Sequence, residues 1–204
     1  MLHRLPRPRS FVAHSFAGGL MLIAPIACRP TVPPAVNANS PAASTSVHDA
    51  PRPAVIGANE GERHFLRGGT APLLIKVDPV TTGSRRMVLG SSDLPPGDAI
   101  GLHRHLQEDE ILILLRGTAR VRLADKEYSA TAGGTVFIPQ GTCVEITNVG
   151  TDTLTNVFIF SSPGFEQVLR AVSSLPGEKP KSLTPAERAA AFHTGHAEAG
   201  PTDC

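Results

Sequence analysis

The sequence predicts an all-β barrel followed by a short helical tail. From Pro72 onward, short apolar or alternating runs recur about every ten residues, which is the rhythm of a sandwich or barrel. Turn-forming residues separate the runs, and Gly and Pro number 19 each in the 204 residues. Hydrophobic residues make up 41% of the chain, enough for a real core, while aromatic residues are only 4%. Aliphatic side chains must therefore fill most of that core.

The expected strands are Leu73–Val77, Arg86–Leu89, Ile100–His105, Glu110–Leu115, Ala119–Leu123, Glu127–Ala130, Thr135–Ile138, Val144–Asn148 and Leu154–Phe160. Ile111 to Leu115 is apolar at every position. Such a run belongs in a central strand covered on both faces, or in a dimer interface. No long-period repeat appears, which leaves one barrel over residues 63–163. Beyond it, Phe165–Val172 reads as a short helix with Val168, Leu169 and Val172 on one face. A second helix is expected from Pro185 to about His193. Thr184 and Glu187 form a capping box, with Pro185 at the first helical position. Gly195 and Gly200 end it, so residues 164–204 form a helical extension.

The N-terminus has a different texture. Residues 1–27 read as an export signal, with Arg4, Arg7 and Arg9 ahead of an apolar stretch, Phe16 to Ala27. A spanning helix needs about 20 predominantly apolar residues, and this stretch is shorter and broken by Gly18, Gly19 and Pro25. Cleavage is therefore expected, not a retained anchor. Loss of the three Arg takes the formal charge from +1 to −2, and neither value favours nucleic acid. Residues 28–62 are rich in Pro, Ala and Ser and lack a hydrophobic period, as a disordered tether does. Cys143 and Cys204 could pair in an oxidising compartment. Cys204 falls on a tail expected to be loose, so two free or buried thiols are the expectation.

The chemistry is concentrated at the third expected strand, Ile100–His105. His103 and His105 are two apart and share a face. Leu106 to Asp109 is polar enough to turn the chain, and the returning strand lies about 4.8 Å away. Glu110 can then join the two imidazoles as a facial triad for a divalent metal. His48, His64, His193 and His196 are expected to be solvated or structural. No nucleophile elbow or phosphate-binding loop appears.

The spacing from Gly97 to Gly117, G-x(5)-H-x-H-x(4)-E-x(6)-G, resembles the first motif of the cupin superfamily. Gly133, Pro139, Gly141 and Asn148 match its second motif, with Val144 where that motif places a His. The likeness is to small single-domain, quercetin-dioxygenase-like members. It implies a double-stranded β-helix, or jelly-roll, barrel. It also implies that His103, His105 and Glu110 bind a divalent transition metal: iron, manganese, nickel, copper or zinc. Strand alternation aims Cys143 and Glu145 away from the pocket, so neither replaces the missing His. Val136, Val144, Ile146 and Phe158 are expected to surround a small organic ligand. Small cupins commonly pair through their sheets, so a homodimer is expected. Ile26-Ala27-Cys28 resembles the end of a bacterial lipobox, which implies lipidation of Cys28 and attachment to the cell-envelope membrane. Three readings stay open for the exported protein. It is a metal-dependent dioxygenase-like enzyme, a non-catalytic binding module with a degenerate metal site, or a structural dimer with a vestigial pocket.

Overall fold

The computed structural model describes residues 50–66 and 71–204. The signal, Cys28 and the first part of the tether lie outside the described residues. Residues 50–61 form no helix or strand. They are held to the barrel where Lys76 Nζ donates to the carbonyls of Gly57 and Ala58, both at 2.7 Å. Among the described residues no helix is long and apolar enough to cross a membrane.

Two antiparallel sheets make a jelly-roll barrel. One sheet has the order β1 (Glu62–Leu66), β2 (Ala71–Val77), β3 (Val88–Leu94), β10 (Leu154–Phe160), β5 (Glu110–Arg116) and β8 (Thr135–Ile138). The other has the order β11 (Ala197–Ala199), β4 (Ala99–His105), β9 (Val144–Asn148), β6 (Thr118–Leu123) and β7 (Lys126–Thr131). Period-two burial in β3, β9 and β10 turns alternate residues inward, as a strand with one buried face requires. Leu73, Ile75, Leu114, Val121, Ile146 and Phe160 belong to the resulting core. Gly90 lies opposite Phe158 across β3 and β10. A Cβ at position 90 would stand 2.2 Å from Phe158 Cζ, so the missing side chain makes room for the ring.

The motif residues that are not candidate ligands shape the turns. Gly97, Gly117, Gly133 and Gly141 all have positive φ, between 77 and 88°. Gly117 is the most constrained of them. Its φ is 88°, and a Cβ there would meet Leu154 Cα at 2.9 Å. Asn148 is buried and fully used. Its Nδ2 donates to the carbonyls of Leu94 and Asp152, and its Oδ1 accepts from the Gly150 N–H. It thereby pins the end of β9 to β3 and to the following turn.

The C-terminal extension holds α1 (Phe165–Val172) and α2 (Pro185–Thr194), with the expected capping box at Thr184 and Glu187. It also contains β11, which sequence reading missed. β11 pairs with β4 so that Ala197 faces His105 and Ala199 faces His103. Arg104 forms ion pairs with Glu198 and Asp203, and Arg122 Nη2 donates to the Cys204 carbonyl at 2.7 Å. These contacts bring Cys204 to Cys143, and the two form a disulfide with Cα atoms 6.0 Å apart. The expectation of free thiols is corrected, because the tail is an edge strand and not a loose end. The disulfide closes a separation of 61 residues. By the chain-entropy argument it stabilises the fold by about 2–4 kcal/mol. Cys204→Ser should therefore lower the melting temperature, and reductant should lower that of wild type but not of the variant.

A polar network ties α1 to β1. Arg170 reaches both Glu62 and the buried Asp78, the latter at 2.6 Å. His64 bridges Glu62 at 2.7 Å and Ser173 at 2.8 Å. Burial opposes ionisation of Glu62, but hydrogen bonds with His64 and Arg170 prevail and hold its carboxyl at about 2. The Ser173–His64–Glu62 order is that of a hydrolase triad, yet His64 and Ser173 are both buried. The Ser173 hydroxyl donates to the Leu169 carbonyl. The network is a structural clasp.

Candidate metal centre

β4 and β5 bring His103, His105 and Glu110 together inside the barrel. One candidate ligand atom from each lies within 4.8 Å of the others, and all three residues are buried. His105 Nε2 stands 3.1 Å from Glu110 Oε2. His103 Nδ1 donates to the Gly101 carbonyl at 2.8 Å, which leaves its Nε2 as the free ligand atom. That carbonyl sits at a register shift between β4 and β9, between Ile100 and His103. The irregularity supplies the acceptor without taking His103 off the face of His105.

Val144 is directly opposite His103 in register and wholly buried. The place of the fourth ligand is therefore filled by hydrocarbon. Cys143 is committed to the disulfide, and Glu145 lies in register with Arg122 of β6.

Glu108, read from the sequence only as part of a polar turn, points inward. It is 0% exposed, and its Oε1 stands 3.7 Å from His105 Nδ1. His105 is thus bracketed by Glu110 on Nε2 and Glu108 on Nδ1. Burial favours the neutral ring, but the two carboxylates outweigh it and raise His105 to about 9. Burial, joined by repulsion from His105, lowers His103 to about 4. The metal-free cluster therefore sets two acidic side chains, Glu108 and Glu110, on either side of one imidazole ring. Neither Glu108 oxygen nor His105 Nδ1 has a hydrogen-bond partner among the described residues. Buried charge without partners is costly, and a dication at the Nε2 atoms would supply the missing positive charge. The residues present fit a divalent metal.

Phe165, the first residue of α1, closes the centre. Its ring centroid lies 4.3 Å from that of His105 and 5.6 Å from that of His103. Beyond it is a cavity of about 710 Å³. Leu73, Leu94, Leu112 and Phe158 line it from the barrel, and Val168 and Phe192 from the helices. His103 reaches the cavity wall, whereas His105 and Glu110 do not line it. Of the expected pocket residues only Phe158 lines this cavity, while Val136, Val144 and Ile146 are buried in the core. The buried Ser92–Asn156 pair adds a polar patch, and Lys181 and Arg188 are the charged lining residues.

Residues 90–160 match the family described as the cupin domain, a span that runs from within β3 to the end of β10 and includes every candidate ligand. The barrel has the cupin fold. The match leaves β1, β2 and the whole C-terminal extension outside it. The chain is 29% identical over 113 residues to the polyketide synthase CurC of Streptomyces cyaneus, covering 55% of this chain and 72% of that protein. It is 35% identical over 75 residues to mannose-1-phosphate guanylyltransferase 2 of Escherichia coli O157:H7, covering 37% of this chain and only 15% of that protein. Among solved structures, the cupin barrel is similar to a predicted oxalate decarboxylase from Thermotoga maritima, at 21% identity and a TM-score of 0.48. That likeness covers 53% of this chain and 99% of the other.

Proposed function

We propose that this chain binds a divalent transition metal through His103, His105 and Glu110 and takes a small organic ligand into the adjoining cavity. One observation carries the reading: a buried two-His, one-carboxylate cluster has a second carboxylate behind it, and among the described residues no Lys or Arg forms an ion pair with either. A bound metal would supply Lewis-acid chemistry or, if redox-active, oxygen chemistry. A dioxygenase-like reaction is the enzymatic form of this reading. The rival, a non-catalytic binding module, is favoured by Val144 at the fourth corner and by Phe165 over the imidazoles. The ligand suited to the cavity has an apolar body and an anionic group. Among the described residues no Asp or Glu lines it, while Lys181 and Arg188 do. Elemental analysis of protein purified without a metal-binding tag tests the metal. Thermal shifts with hydrophobic carboxylates, against their alcohols and amines, test the ligand. A metal-free protein stabilised by the acids would establish the binding module.

Export and lipidation at Cys28 rest on the charged, apolar, small-residue and Cys order of the N-terminus, and the disulfide fits an oxidising compartment. Fractionation of wild type and Cys28→Ala tests both, since only the variant should lose membrane attachment. A homodimer is supported by the outer face of the larger sheet. There Leu89, Ile159, Ile111 and Phe137 stand in register across four strands, with Phe137 exposed. Phe137→Glu should shift the light-scattering mass from dimer to monomer at micromolar concentration. A monomeric wild type would remove this part of the proposal.

A further inference from the structure

We propose that Glu108 is the positioning residue of the metal centre and its second negative charge. The inference rests on the metal reading above and extends it to a residue outside the ligand triad.

Glu108 stands on the opposite side of the His105 ring from Glu110. The contact of Glu108 is with Nδ1, at 3.7 Å, and that of Glu110 is with Nε2, at 3.1 Å. An atom behind Nδ1 cannot share a metal with Nε2 of the same ring. Glu108 is therefore not a replacement for the His missing at Val144. At 3.7 Å it is not hydrogen-bonded to Nδ1 in the metal-free protein; with a metal on Nε2 it would close on the Nδ1 proton, the arrangement by which carboxylates orient metal-bound histidines. His103 is set up the same way by a different acceptor, the Gly101 carbonyl. His105 thus turns Nε2 toward Glu110 and Nδ1 away from it, and the Nδ1 of His103 is likewise taken up, leaving its Nε2 free.

Charge explains why one acceptor is a carboxylate. The centre has only three ligands, and its fourth corner is the hydrocarbon of Val144. A dication with two neutral imidazoles and Glu110 alone would leave one uncompensated positive charge in a buried site. An ionised Glu108 would bring the sum to zero. Its own burial, without a hydrogen bond to either oxygen, has no structural explanation in the surrounding contacts. With a metal present it has an electrostatic one.

The test uses the full chain, stripped of metal, with cobalt(II) as the probe because its visible bands report ligand geometry. Glu108→Leu removes both charge and acceptor. Glu108→Gln keeps the shape and one acceptor oxygen, and guards against a folding defect in the first variant. Cobalt affinity should fall 10- to 100-fold in Glu108→Leu and by less in Glu108→Gln, with altered bands in the former. Metal-free melting should move the other way, with Glu108→Leu at or above wild type, because a buried carboxylate short of partners has been removed. If wild type binds cobalt and both variants bind it within threefold of wild type, Glu108 is not a positioning residue and the metal reading survives. If metal-free and cobalt-loaded proteins lose stability equally, its role is structural packing and the proposal is likewise overturned. If wild type binds no divalent metal, the metal reading itself fails.

Discussion

His105→Ala is expected to abolish metal retention while the barrel stays folded. His105 is the only residue of the cluster that touches both carboxylates, at 3.1 Å from Glu110 and 3.7 Å from Glu108. Its loss leaves one imidazole and one carboxylate, and Val144 offers no donor. The core is built by other side chains, so the fold persists, but two buried carboxylates then lack their cation. Breaking a buried pair in this way costs on the order of 3 kcal/mol. The complementary variant, Val144→His, should act in the opposite direction with metal present. An imidazole at a buried apolar position normally destabilises, because it loses water without gaining a partner. At this position it would face His103 across the β4–β9 pair and complete a four-ligand set. Manganese, iron, nickel, copper and zinc should be titrated into metal-stripped wild type and both variants, following affinity and melting temperature. Metal-free Val144→His should melt below wild type, and at least one metal should reverse the difference. Destabilisation with every metal, and tighter binding of none, would mean that the cluster is not a metal site.

The candidate ligands were legible in the sequence because a two-residue spacing in a strand fixes a common face, and the turn after His105 is too short to place Glu110 elsewhere. The resemblance to the second motif, and not strand spacing, put Val144 at the fourth ligand's place, and the register shift at Gly101 was not foreseen. β1 and β11 were missed for a different reason. Glu62–Leu66 and Ala197–Ala199 have little alternation of their own and become strands by pairing with β2 and β4. The disulfide followed the same failure, since Cys204 reaches Cys143 only once β11 has docked. Glu108 looked like a turn residue because nothing in Leu106–Asp109 marks which carboxylate points inward. Phe165 was read as the start of a helix, which it is. Its contact with the imidazoles depends on where the extension folds back, and no local pattern encodes that.

Phe165→Ala is expected to open the metal centre to the cavity, with a large effect on exchange rate and a small one on affinity. Phe165 supplies no donor atom, so the equilibrium set by His103, His105 and Glu110 should change little. Its ring packs against both imidazoles and against Phe160 and Phe192, and it lines the cavity that His103 reaches and His105 and Glu110 do not. With the ring gone, His105 and Glu110 should join the cavity wall, and metal could leave by that path. Truncating a buried Phe costs about 3–5 kcal/mol, so the variant should melt well below wild type. Phe165→Leu should recover much of that loss while covering the imidazoles less completely. The decisive measurement is the rate of metal loss to excess chelator at a temperature where all three proteins are folded. The rate should rise about tenfold or more in Phe165→Ala and by an intermediate amount in Phe165→Leu. Equal rates would make Phe165 core packing alone and place the metal's route elsewhere. Faster loss with unchanged affinity would make the C-terminal extension, through one ring, the gate between ligand cavity and metal. A ligand seated against Phe165 would then slow metal loss in wild type, and that coupling should vanish in Phe165→Ala.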